Sequence, residues 1–67
     1  MDKIDGYLSR RVQSQWPEGL VVIREDADRL EYVVQRPGEP ELGLGDSFSR
    51  AQQACDALLA AERARRK

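Results

Sequence analysis

Residues 20–35 read LVVIREDADRLEYVVQ. Two runs rich in β-branched residues, Leu20 to Glu25 and Arg29 to Gln35, flank the acidic stretch Asp26-Ala27-Asp28. Aspartate favours turns because its side chain bonds to its own backbone, so the stretch predicts an antiparallel hairpin. In the second run Leu30, Tyr32 and Val34 point one way and Arg29, Glu31 and Gln35 the other, the pattern of a strand with one wet face. In the first run Leu20, Val21, Val22 and Ile23 are all apolar, so that strand is central or covered on both faces at its start.

Downstream, Arg36-Pro37-Gly38-Glu39-Pro40 forces a loop, since Pro40 cannot extend a central ladder. Glu41 to Asp46 reads as a short Gly-rich third strand with Leu42 and Leu44 inward. Ser49 with Gln52 forms a capping box for a helix over about 50–65. Its apolar stripe is Ala51, Ala54, Cys55, Leu58 and Leu59, flanked by Ala57, Ala60, Ala61 and Ala64. Upstream, Asp2 with Asp5 makes a first capping box, and Ile4, Leu8 and Val12, with Tyr7 beside them, recur at helical spacing. That helix, about 3–15, must stop before Trp16-Pro17-Glu18-Gly19. Trp16 is placed to fold back over the core as a packing anchor. The predicted fold is α+β in a single domain over 1–67: a helix, a three-stranded antiparallel sheet (20–25, 29–36, 41–46), and a helix packed on one face of the sheet.

At 67 residues, a core rarely supplies more than roughly 3–5 kcal/mol, so such domains usually need a disulfide, a metal or a partner subunit. Cys55 is the only cysteine and there is no histidine, so neither an internal disulfide nor a common zinc site is expected. A homodimer is the remaining device, through an exposed edge strand or the alanine-rich helix. Met1-Asp2-Lys3 leads into a polar segment, so no signal peptide is expected, and the run Leu20 to Ile23 falls far short of the ~20 residues a membrane helix needs. A soluble cytoplasmic protein, with no membrane partner, is the expectation. The excess of arginine over lysine and the abundance of alanine are a bias typical of GC-rich bacteria and their phages.

The net charge of −1 hides a segregation: acidic residues crowd 18–46, whereas the tail ends in Arg63, Arg65, Arg66 and Lys67. Little here is equipped for catalysis. Nucleophilic chemistry wants a base tuned near neutral pH, usually histidine, and Cys55 falls inside an apolar stripe. Ser47 and Ser49 read as caps, and Asp26, Asp28 and Glu31 as a turn and its flank more than as a cation site. Gly43-Leu44-Gly45 opens like a dinucleotide fingerprint, but Phe48 stands where the third glycine would be. No enzyme activity, metal or cofactor is expected.

The order helix, three strands, helix resembles the double-stranded RNA-binding domain, and residues 42–54, LGLGDSFSRAQQA, are loosely similar to that family's junction of third strand and second helix. The resemblance implies a nucleic-acid reading in which basic residues at the start of the last helix clamp phosphates. At those positions stand Ser49, Arg50 and Gln53, so only Arg50 could serve, with Arg10, Arg11 and the basic tail in support. The reading favoured by the residues themselves is a small interaction module acting as a regulator or inhibitor by binding a protein partner. The size matches stand-alone bacterial and phage regulators, including anti-defence proteins of the anti-CRISPR class. Its expected contacts are Glu25, Asp26, Asp28 and Glu31 in the hairpin, and Arg63, Arg65 and Arg66 at the helix end.

Overall fold

In the computed structural model, which describes residues 3–65, the chain runs β1 (Lys3–Ile4), α1 (Gly6–Val12), β2 (Leu20–Asp26), β3 (Arg29–Gln35), β4 (Leu42–Gly45) and α2 (Phe48–Arg65). The strands form one antiparallel sheet in the order β1-β2-β3-β4. Leu8 and Val12 of α1, Val21, Tyr32, Val34 and Leu44 of the sheet, and Ala51, Cys55 and Leu59 of α2 share one core, so both helices cover the same face. This is the α+β packing that the hydrophobic pattern predicts, with β1 added at one edge.

The hairpin pairs from Leu20↔Gln35 to Asp26↔Arg29, so Asp26 belongs to the strand and the turn is Ala27-Asp28 alone. Ala27 takes φ 55°, a left-handed conformation that costs a residue with a Cβ about 1–2 kcal/mol. Val22 and Val33 face away from the helices as a cross-strand pair, yet are only 5% and 3% exposed. Polar side chains shelter them. Arg24 of β2 reaches across β3 to Glu41, donating from both terminal nitrogens at 3.2 and 3.0 Å, and Gln35 Nε2 donates to the same carboxylate at 3.0 Å.

The N-terminal segment departs most from its sequence pattern. Lys3 and Ile4 pair with Ile23 and Val22, and Asp5 turns the chain from strand into helix. The Asp5 N–H donates to Val21 O at 2.8 Å, while its carboxylate accepts from Leu8 N at 2.9 Å. Asp5 is therefore the N-cap rather than the acid of a box begun by Asp2, which lies outside the described residues. Consequently α1 is shorter than the predicted 3–15, and Ile4 and Tyr7 are 60% and 51% exposed rather than part of its core face. Ser9, buried at 4%, completes the edge of β2 that the two-residue β1 leaves short. Its hydroxyl accepts from Val21 N at 2.8 Å and donates to Val21 O at 3.4 Å.

At the other edge, Val33 pairs with Gly43 and Tyr32 with Gly45, so Leu44 is the extra residue of a β-bulge. Gly45 has φ 137°, and a Cβ there would lie 3.0 Å from Arg50 Cβ. Glycine thus lets β4 end against the first turn of α2. That turn is capped by Ser47, whose hydroxyl accepts from Arg50 N at 3.3 Å, and not by Ser49, which is exposed within the helix. Ser47 wins because Phe48 already has helical geometry and Ala51 N donates to Ser47 O at 2.9 Å. Trp16 packs partly buried against the core with the Arg36 guanidinium 4.9 Å above its ring. Tyr32 is a core residue at 7% exposure.

Candidate interaction surface

β4 runs antiparallel to β3 and so ends near the turn side of the hairpin, which brings the start of α2 beside the acidic residues. Between them lies an open groove of about 850 Å³, lined by Asp26, Asp28, Arg29 and Glu31 on one side and by Asp46 and Arg50 on the other. Two of the neighbouring cations are already engaged. Arg50 Nη1 is 3.6 Å from Asp46 Oδ1, and Arg24 is held by Glu41. The hydrogen bonds from Arg24 and then Gln35 lower the Glu41 pKa below the ordinary carboxylate value, which keeps that bridge charged.

Among the described residues no contact ion pair compensates the hairpin carboxylates, and their nearest cations are the cross-strand neighbours, Arg29 opposite Asp26 and Arg24 opposite Glu31. Glu25, Asp26, Asp28 and Glu31 are all exposed, and none has an ion-pair partner among the described residues. Arg29 is the cation left among them. Of the residues predicted as contacts, the structure gathers Asp26, Asp28 and Glu31 around one groove, with Glu25 exposed at the end of β2 but outside the groove lining. Arg63 and Arg65 lie elsewhere. Both are exposed on the last turn of α2, beyond Leu59, the last buried residue of that helix. At 1.5 Å per residue they stand about 20 Å along the helix from Arg50, in a molecule 42 Å long. Arg66 lies outside the described residues.

Cys55 and Ser47 occupy structural positions. Cys55 is fully buried, and burial raises its thiol pKa, with smaller opposing and reinforcing effects from Arg11 and Asp56. Ser47 is a cap. Among the described residues, no three His, Cys, Asp or Glu side chains converge as metal ligands, and no helix is long and apolar enough to cross a membrane.

Sequence patterning did not pick out one exposed pair. The rings of Tyr7 and Phe48 lie 5.9 Å apart at 44°, with 51% and 41% of their surfaces exposed. Arg11 sits 6.0 Å from the Tyr7 ring and forms an ion pair with Asp56 that ties α1 to α2. Aromatic and arginine side chains are enriched in protein interfaces, so this pair is a second candidate contact. Reading Asp5 as the cap would have revealed it, because Tyr7 then falls off the Leu8–Val12 stripe. Comparison with protein-family models, with curated protein sequences and with solved structures finds no match to this chain.

Proposed function

We propose that this chain is a small non-enzymatic interaction module, bacterial or phage-encoded, that regulates or inhibits a protein partner by binding it. The observation that carries the reading is the set of exposed hairpin carboxylates, Glu25, Asp26, Asp28 and Glu31, left without ion-pair partners among the described residues. Such a concentration repels itself in the free protein and is relieved by a cationic surface. It also steers encounter with an arginine-rich partner, including one that ordinarily holds nucleic acid. An anti-defence inhibitor of the anti-CRISPR class is one form this function would take, suggested by size alone. The test is affinity capture from the source cells. One stoichiometric protein should be recovered, and recovery of chaperones alone would refute the reading.

A second reading, nucleic-acid binding of the kind the RNA-binding-domain resemblance implies, draws on the exposed Arg63 and Arg65. Against it, Arg50 is paired with Asp46 at the position where that family needs a free cation. It predicts a gel shift with duplex RNA or DNA that weakens steeply with salt and disappears in Arg63→Ala/Arg65→Ala.

A further inference from the structure

β3 is longer than the strand beside it. It pairs with β2 over its whole length, from Leu20↔Gln35 to Asp26↔Arg29, but with β4 only from Val34↔Leu42 to Tyr32↔Gly45. At Gly45, with φ 137°, the chain leaves the sheet for α2. Arg29, Leu30 and Glu31 therefore have no strand on that side among the described residues.

The register shows which backbone groups this leaves over. The two-residue turn closes on Asp26↔Arg29, and in such a hairpin the closing pair exchanges both of its bonds. Arg29 and, by alternation, Glu31 thus direct N–H and C=O to β2. Leu30 directs both the other way, as Tyr32 and Val34 do toward β4, and no described loop or helix residue takes them up. An edge of this kind is a template for an added strand.

The space beside the edge is the groove described above, which both Leu30 and Gly45 line. An added strand lies about 4.8 Å from β3 and continues the line of β4. Its residue opposite Leu30 points to the helix side, where Leu30 packs partly buried against the core. Its neighbours on either side point to the opposite face, that of Asp26 and Glu31. Charge selects what they are. With Arg50 on Asp46 and Arg24 on Glu41, only Arg29 stands against Asp26, Asp28 and Glu31 in the groove.

We infer that the bare edge of β3 at Leu30 receives an extended basic segment of a protein partner, added antiparallel to β3 with an apolar residue opposite Leu30 and a lysine or arginine on each side of it. The inference rests on the partner reading above and specifies the form in which that partner is bound. Main-chain bonds to Leu30 fix the segment in place, and the hairpin carboxylates choose its side chains.

The probe is the synthetic peptide acetyl-Lys-Gly-Lys-Val-Lys-Gly-Lys-amide, titrated into the full chain and followed by amide NMR and hydrogen exchange. It should bind with a dissociation constant below about 1 mM that rises with salt. The Leu30 amide, open to exchange in the free chain, should be protected in the complex. Proline in place of the valine keeps every charge but removes the central N–H, and this peptide should bind at least about tenfold more weakly. Asp28→Asn/Glu31→Gln, at two exposed positions, should also weaken the valine peptide. Equal affinity for the two peptides would overturn strand addition and leave the acidic-surface reading standing, since charge alone would then bind. No binding of the valine peptide by about 1 mM, or binding without protection of Leu30, would overturn the inference as well. Indifference to the carboxylate substitutions would overturn the basic occupant, and a Leu30 amide already protected in the free chain at high concentration would assign the edge to a second copy instead. The partner reading itself falls only with the lysate capture.

Discussion

Replacing Ser9 by alanine tests how the fold manages the edge of its sheet. The β1 strand is only two residues long and covers β2 at Val22 and Ile23. At Val21 the backbone partners are Asp5 and Ser9 instead: Val21 O accepts from Asp5 N at 2.8 Å, and Val21 N donates to Ser9 Oγ at 2.8 Å. In Ser9→Ala the carbonyl keeps Asp5, but the N–H of a residue with 0% exposure loses its acceptor. A buried donor left unsatisfied costs about 1–3 kcal/mol. Alanine returns about 0.5 kcal/mol of helix propensity, so the net loss centres near 1.5 kcal/mol. In a domain of this size that corresponds to a fall in Tm of roughly 6–12 °C. Ser14 gives the control, because its hydroxyl donates to Arg11 O at an exposed site, and Ser14→Ala should cost no more than about 0.5 kcal/mol. Urea denaturation of both variants, at constant m-value, reads the difference. Equal stability of Ser9→Ala and wild type would show that Ser9 is not what completes the β2 edge.

Two of the three positive-φ positions, Gly45 and Ala27, should respond with opposite signs. Gly45→Ala meets both the positive φ and Arg50 Cβ at 3.0 Å, so it should cost about 1–3 kcal/mol by thermal denaturation. Ala27→Gly relieves a left-handed alanine in the turn and should gain up to about 1 kcal/mol after the extra entropy of an unfolded glycine. Cys55, fully buried with its pKa raised by desolvation, should react with a thiol reagent only at the rate of unfolding. Because that pKa is raised in the folded state, the thiol costs no stability below its unfolded pKa and begins to destabilise the fold as pH rises above it. Glu41 has the reverse sign. Its folded pKa is lowered, so the Arg24 bridge contributes stability above the unfolded carboxylate pKa and loses it as pH falls through the folded one. Both partners are substantially exposed, so the contribution is small. Glu41→Gln should flatten that part of the acid-side stability curve.

Most of the scaffold was legible because its signals are repeated along the chain. Alternation over seven residues marks β3, and the turn aspartates fix the hairpin within one residue. The apolar stripe of α2 names its core residues, including Cys55. Signals resting on single residues read less well. A strand of two residues, Lys3–Ile4, has no period to detect, and its partner edge on β2 is fixed only when the chain folds. Asp2 and Asp5 both suit an N-cap, as do Ser47 and Ser49, and the choice depends on which backbone N–H groups face each side chain. The same limit applies to the surface. The hairpin carboxylates were visible as residues, but whether Arg24, Arg29 or Arg50 neutralised them could not be read from spacing. The pairing of Arg24 with Glu41, seventeen positions away, is set by the order of β2, β3 and β4. The Tyr7–Phe48 pair joins the first turns of two helices far apart in sequence and has no local pattern at all.

The most direct test of the interaction reading compares capture by two forms of the protein from one lysate of the source cells. One form is wild type and the other carries Glu25→Lys/Asp26→Lys/Asp28→Lys/Glu31→Lys, with thermal denaturation confirming that the reversed hairpin still folds. One stoichiometric protein is expected on the wild-type resin and should be lost from the variant, with added salt weakening the wild-type capture. Equal recovery of the same protein by both forms would contradict it, because the acidic hairpin would then not be the surface that binds.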